Sequence, residues 1–295
     1  MSQKPSVGFI GLGLMGQAFT RRLVSRGYTV TGFDIVADKV EAAAAHGVVA
    51  ARSPAEVTDR SDLVLVCVTS TDAVQDAVFG TGGVVEAAGA DKVLVDHSTT
   101  VVESTRAMAE ELRSRTGMGW VDAPVSGGPP AAEAGTLAIM AGGSDADIAT
   151  VTPVMDEVAD TFTHLGGVGA GQVTKMVNQI LVLNNYCVLA EALALAEAAG
   201  IDAAKIPEAL APGHAGSNLL KSAFPRMIAR DFEPAGYARQ ILKDLDMVHD
   251  IAKSLKVPTP MSSQAATLFR ILVGKGHAEK DGIAVLKLYD QNDTV

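Results

Sequence analysis

The chain has 295 residues, long enough for two domains; 48% of them are hydrophobic and only 4% aromatic, so Ala, Val and Leu must build its cores. A net charge of −10 tells against nucleic acid or an anionic membrane as partner, and any anionic ligand must be held by local positive groups. The two cysteines, Cys67 and Cys187, lie far apart in apolar segments, which suits a reducing, cytoplasmic setting, and the six histidines lack metal-site spacing, so no metal is expected.

The first residues, "MSQKPSVGFIGLG", lack a signal-peptide core, since glycines interrupt the apolar run. In chain order the pattern predicts a strand over Val7 to Gly11, a helix over Leu14 to Arg26 and a strand over Tyr28 to Asp34. Further strands are expected over Asp62 to Val68, Lys92 to Ser98 and Gly119 to Val125, with helical segments between them, and later ones near "LAIMAG" and "FTHLG". Near-continuous apolar strands alternating with helices indicate an α/β domain with a doubly wound parallel sheet covered on both faces.

After Gly171 the strand pattern stops, and helices run to Tyr289. The expected domains are 1–165 and an all-helical 166–295 that begins with a long helix. The apolar run from Ile180 to Gly200 is long enough to raise the membrane question. Asn184, Asn185, Glu191 and Glu197 within it argue for a helix buried in protein.

"GFIGLGLMG" places Gly11-Leu12-Gly13-Leu14-Met15-Gly16 between a strand and a helix, the Rossmann-type context for a dinucleotide. The first glycine permits the tight turn, the second lets a pyrophosphate reach the backbone, and the third lets helix and strand pack closely. Asp34 closes the second strand, where a carboxylate can bond a ribose 2′-hydroxyl and repel a 2′-phosphate. No Arg follows at 35 or 36, so NAD is expected over NADP.

With "DHSTT" from Asp96, "DAPVSGG" from Asp122, "GAGQVTKMVNQ" from Gly169 and "KDLDM" from Lys243, the chain resembles the β-hydroxyacid dehydrogenases over essentially its whole length. That family includes 3-hydroxyisobutyrate dehydrogenase, tartronate semialdehyde reductase and, more distantly, 6-phosphogluconate dehydrogenase. The resemblance implies hydride transfer between NAD and a small 3-hydroxy acid, in a cleft between the two domains of a homo-dimer or homo-tetramer.

Lys175 matches the family's catalytic lysine; beside apolar neighbours it is expected to be partly desolvated, which lowers an ammonium pKa from about 10.4. Ser126, Gly127 and Gly128 match the loop that grips the substrate carboxylate, where adjacent glycines admit an anion to the backbone and Pro129 and Pro130 are expected to stiffen the turn. Asn178 and Gln179 follow the lysine at i+3 and i+4 and are expected to orient it and meet the substrate hydroxyl.

Thr99 matches a position close to both nicotinamide and substrate, Val68 and Thr69 belong with the cofactor, and Lys243 matches a residue near it. His97 is read either as a second titrating group or as a histidine hydrogen-bonded behind the loop. His214, Ser217 and Asn218 are read as specificity residues or as an ordinary polar loop. Two other functions fit the same motifs: a physiological semialdehyde reductase, and a non-catalytic NAD-binding sensor.

Overall fold

The protein is described by a computed structural model that covers residues 4–290. It divides into two compact units, Met1–Lys175 and Met176–Val295.

The first unit opens with β1 (Val7–Ile10), α1 (Leu14–Ser25), β2 (Val30–Phe33), α2 (Ala37–Ala44), β3 (Val49–Ala50), α3 (Pro54–Asp59), β4 (Leu63–Val66) and α4 (Thr71–Phe79). β5 (Val93–Asp96), α5 (Val102–Thr116) and β6 (Gly119–Asp122) complete a six-stranded sheet in the order β3-β2-β1-β4-β5-β6, parallel throughout. Strand order reverses between β1 and β4, so the crevice for a ligand lies beyond their carboxyl ends, where the glycine motif sits. β1, β4, β5 and β6 are buried along their whole length, which accounts for their unbroken apolar sequence.

Phe9, Phe19, Leu65 and Val95 lie in the core on one face, and Val66, Leu94, Leu112 and Trp120 in the core on the other. Serines start three of the helices: Ser53, Ser70 and Ser144 each accept the backbone N–H three residues on, at 3.1 Å. β3 has only two residues, too few to show a pattern in sequence.

The strand expected over Gly119 to Val125 is in fact two. β6 ends at Asp122, and β7 (Val125–Ser126) pairs antiparallel with β8 (Leu137–Ala141), which pairs parallel with β9 (Ala159–His164) in a second, three-stranded sheet. Pro124 has no N–H to continue the ladder, so the chain leaves the first sheet there. Pro129 and Pro130 do not stiffen a loop: they occupy the first turn of α6 (Gly128–Ala134), where a missing N–H costs nothing. α7 (Asp145–Met155) links β8 to β9.

α8 (Ala170–Ala198) carries the chain from the first unit into the second, which continues with α9 (Ile206–Leu210), α10 (Asn218–Ile228), α11 (Ala238–Leu255) and α12 (Pro260–Leu272). α8 alone among the described residues is long and apolar enough to cross a membrane. Its Leu183, Cys187, Ala190 and Leu193 join Phe224, Leu245 and Phe269 in the core of the helical unit.

Candidate active site

The glycine motif has the geometry its three positions require. Gly11 sits at φ +96°, and a Cβ there would lie 2.3 Å from the Cys67 carbonyl; a Cβ on Gly16 would lie 2.0 Å from the Gly11 carbonyl. Neither position can take a side chain, because β4 and the loop itself fill the space. A Cβ on Gly13 would meet nothing within 4 Å, and Gly13 stands at the N-terminus of α1 with no side chain capping it. Open space over uncapped helix amides is what a pyrophosphate needs, so these residues fit a dinucleotide. Leu14 is exposed and Met15 half-buried at the same loop.

Asp34 does something beyond the expectation for it. Its Oδ2 accepts the Leu12 N–H at 2.7 Å and its Oδ1 the Val36 N–H at 2.9 Å, while the Lys39 Nζ stands 3.8 Å from Oδ1. The carboxylate therefore braces the glycine loop against the end of β2. Val68 donates its N–H to Ser98 Oγ at 2.9 Å, joining the loop after β4 to the one after β5; Thr69 is exposed and Thr99 half-buried.

His97 is resolved in favour of a structural role. Its ring stacks on Phe19 with centroids 4.8 Å apart, its Nδ1 lies 2.7 Å from the Ala123 carbonyl, and burial pushes its pKa down to about 4. A carbonyl partner requires a proton on Nδ1, so the neutral ring is the resident form at pH 7.

Lys175 lies near the start of α8, 8% exposed, and donates from Nζ to the Val125 carbonyl at 2.8 Å. Val125 precedes Ser126, so the lysine and the Ser126–Gly128 stretch are neighbours within the first unit. Gly127 has φ +128°, and a Cβ there would lie 2.6 Å from the Ala131 Cβ. The space denied to a side chain is therefore the α6 side of the turn.

In the helical unit, Asn178 Nδ2 donates to Gln179 Oε1 at 2.9 Å and Gln179 Nε2 donates to Asp244 Oδ2. Lys243 Nζ lies 3.1 Å from Asp244 Oδ1. Gln179 is thus held by Asn178 and Asp244 at both ends of its amide. Ser217 spends its hydroxyl as the N-cap of α10, accepting the Leu220 N–H at 3.0 Å; His214 is exposed in the loop before it and Asn218 is exposed as the first residue of α10.

Two buried carboxylates that sequence spacing does not single out head the segments DHSTT and DAPVSGG. Asp96 and Asp122 are register partners at the ends of β5 and β6, each 0% exposed. Burial raises Asp96 from 3.8 to about 7, helped by the neighbouring Asp122 charge and opposed by hydrogen bonds from Ser98 and Thr100. Burial raises Asp122 to about 6 against the pull of several backbone N–H groups. A carboxyl with a raised folded pKa favours folding while protonated, and that contribution disappears as pH climbs from about 4 to about 7. Asp96→Asn, which mimics the protonated acid, should therefore gain stability over the wild type progressively across that window. Urea unfolding of both proteins at pH 4.5 and 7.5 measures it; an advantage independent of pH contradicts the shift.

Known proteins confirm the reading of the fold. Residues 6–166 match the model of the NAD binding domain of 6-phosphogluconate dehydrogenase, and residues 169–289 match that of the NAD-binding region of NADP-dependent 3-hydroxyisobutyrate dehydrogenase. The chain is 34% identical to 2-(hydroxymethyl)glutarate dehydrogenase of Eubacterium barkeri, over 99% of this chain and 97% of that one. It is 35% identical to 2-hydroxy-3-oxopropionate reductase of Escherichia coli, over 95% and 96%.

The chain belongs to the β-hydroxyacid dehydrogenase family. As a member it is an NAD-dependent oxidoreductase acting on CH–OH groups. Among solved β-hydroxyacid dehydrogenases, a Mycobacterium tuberculosis 3-hydroxyisobutyrate dehydrogenase with L-serine superposes with a TM-score of 0.85 at 30% identity, covering 98% of this chain and 100% of that one. A Salmonella typhimurium 3-hydroxyisobutyrate dehydrogenase gives 0.88 at 28% identity, over 97% and 100%.

Proposed function

We propose that the protein oxidises a small 3-hydroxy acid, or reduces the matching semialdehyde, with Lys175 as the general acid/base. The observation that carries this is Lys175 itself, a nearly buried amine held against the carbonyl that precedes Ser126. The names of three relatives support the substrate class. 2-(Hydroxymethyl)glutarate, 2-hydroxy-3-oxopropionate and L-serine each place the alcohol or aldehyde carbon directly next to the carboxylate-bearing carbon, the β position.

Gly11 to Gly16, Asp34, Val68, Thr69, Thr99 and Lys243 would hold NAD, which would supply the two-electron acceptor or donor. Lys175 takes the hydroxyl proton in oxidation and returns it in reduction. Ser126 Oγ and the Gly127 and Gly128 N–H groups donate to the substrate carboxylate. Gln179, already engaged, orients Asn178, whose Oδ1 and second N–H remain to meet the hydroxyl. The 35% identity to a reductase supports the reductive direction as the alternative physiological one. A homo-dimer or homo-tetramer is part of the proposal, supported by Val177, Leu181, Val188 and Leu195 standing exposed along α8. A cytoplasmic location is proposed from the cysteine usage.

The test is a panel of 3-hydroxyisobutyrate, serine, threonate and glycerate with NAD and with NADP, followed by NADH absorbance. Turnover confined to simple alcohols or 2-hydroxy acids would sink the proposal. On cofactor choice, Asp34→Ser with Ile35→Arg should raise affinity for NADPH relative to NADH by removing a repulsive charge and adding a phosphate partner. Because Asp34 also braces Leu12, both affinities should weaken in absolute terms. Fluorescence titration reads both, and a wild type that already prefers NADPH contradicts the role given to this carboxylate.

A further inference from the structure

We propose that Asp122 and Gln172 are positioning residues for Lys175, clamping the start of α8 to the ends of β5 and β6 so that the amine's place against the Val125 carbonyl, next to Ser126 in the chain, is set. This rests on Lys175 being the general acid/base.

α8 begins at Ala170, and the residue before it, Gly169, has no side chain with which to cap the helix. The cap comes instead from 47 residues upstream in sequence: Asp122 Oδ1 accepts the Gly169 N–H at 2.7 Å and Oδ2 accepts the Gln172 N–H at 2.9 Å. Those N–H groups have no partner inside a helix, so one carboxylate satisfies two of them and places a negative group at the positive end of the helix. Asp122 is itself anchored. Its backbone exchanges hydrogen bonds with Gly142 at 2.9 and 2.8 Å, which ties the end of β6 to the second sheet.

Gln172 supplies the lateral half of the clamp. Fully buried, it accepts the Thr100 N–H on Oε1 at 3.1 Å and donates from Nε2 to the Ser98 carbonyl at 2.8 Å, gripping the chain on both sides of Thr99. Lys175 follows three residues later, and its Nζ returns to the Val125 carbonyl, three residues after Asp122. The path from Asp122 through the helix turn to Lys175 and back along the chain is therefore closed. It has no slack: a Cβ on Gly171 would lie 2.4 Å from the Met140 carbonyl and 2.5 Å from that of Asp122. One residue of helix slippage moves the amine by about 1.5 Å along the axis and about 100° around it.

Asp122→Asn keeps the shape, but its amide can accept only one of the two N–H groups and opposes the other with a donor. We expect kcat to fall about 10- to 100-fold, as misplacement of a reacting group by about 1 Å does, with NADH affinity by fluorescence within about twofold of wild type. Amide hydrogen exchange over residues 169–175 should quicken. Gln172→Met keeps the backbone N–H that Asp122 accepts and loses only the ties to Ser98 and Thr100; its kcat should fall about 3- to 10-fold, again with KM for NAD unmoved.

The discriminating arm is the double variant Asp122→Asn/Lys175→Ala. A residue that acts through the lysine adds no further loss once the lysine is gone, whereas general damage to the domain multiplies. Wild-type kcat in Asp122→Asn, or full multiplication in the double variant, overturns the inference. Should Asp122→Asn not fold, Gln172→Met and its double with Lys175→Ala decide by the same criteria. Full activity in Lys175→Ala alone refutes the general acid/base reading and this inference with it; inactive Lys175→Ala beside fully active Asp122→Asn refutes this inference only.

Discussion

Replacing Lys175 with Ala should lower kcat by about 10²- to 10⁴-fold, the range for removing a positioned proton-transfer group. The side chain is 8% exposed and its amine is held at 2.8 Å by the Val125 carbonyl, so the truncated side chain leaves no amine in that position to carry the proton. NADH affinity should change little, because the residues proposed to hold the dinucleotide lie on the loops after β1, β2, β4 and β5 and, for Lys243, on α11, and Lys175 is none of them. Lys175→Arg should recover little of the loss, since a guanidinium stays protonated across the working range and cannot accept a proton. Steady-state kinetics with the best acid from the substrate panel, beside a fluorescence titration of NADH, separates the two quantities. A variant with most of its kcat would remove Lys175 from the chemistry, and a variant that loses NADH binding would place it with the cofactor.

How legible this was in sequence depended on whether a residue's role follows from its neighbours in the chain. Gly11, Gly13 and Gly16 are readable because a turn, a phosphate approach and a helix contact are all local demands; the structure shows the turn at Gly11, the close contact at Gly16 and open space over Gly13. The parallel sheet was readable because strands buried on both faces leave unbroken apolar runs. The break at Pro124 was missed, although a proline inside an apolar run is a signal against one continuous strand. That miss concealed the second sheet and turned the first turn of α6 into an apparent loop.

Asp122 and Gln172 were missed for a different reason. Their partners lie 47 and 72 or more residues away, and nothing near Asp122 in the chain announces that it caps a helix beginning at Ala170. The signal available was chemical: a carboxylate in the apolar run "GWVDAPV" must be paired if it is buried, and the partner had to be sought elsewhere in the chain. Asp34 shows the converse. It stands one residue past the end of β2, beside where its spacing puts it, and its bond to Leu12 depends on how the glycine loop folds back, which spacing does not convey.

Gly127→Ala should cost on the order of 10²-fold in kcat/KM for a 3-hydroxy acid. The residue sits at φ +128°, which an L side chain rarely adopts, and the new methyl would lie 2.6 Å from the Ala131 Cβ. Relief requires the turn between β7 and α6 to shift, carrying with it the Gly127 and Gly128 N–H groups proposed to hold the carboxylate. Pro129 and Pro130 have no N–H to replace them. Charge-assisted hydrogen bonds of this kind contribute about 1.5–3 kcal/mol each, so misaligning one or two accounts for a loss of that order.

The substrate's side of the same contact gives a matched test. A 3-hydroxy acid and its neutral methyl ester differ at the carboxylate alone, and the wild type should prefer the acid by on the order of 10²-fold or more, because the ester leaves donors unpaired. Gly127→Ala should shrink that preference by slowing the acid far more than the ester, with NADH affinity unchanged. If wild type uses acid and ester equally well, the turn grips no anion, and the strain at Gly127 serves only to pass the chain from β7 into α6.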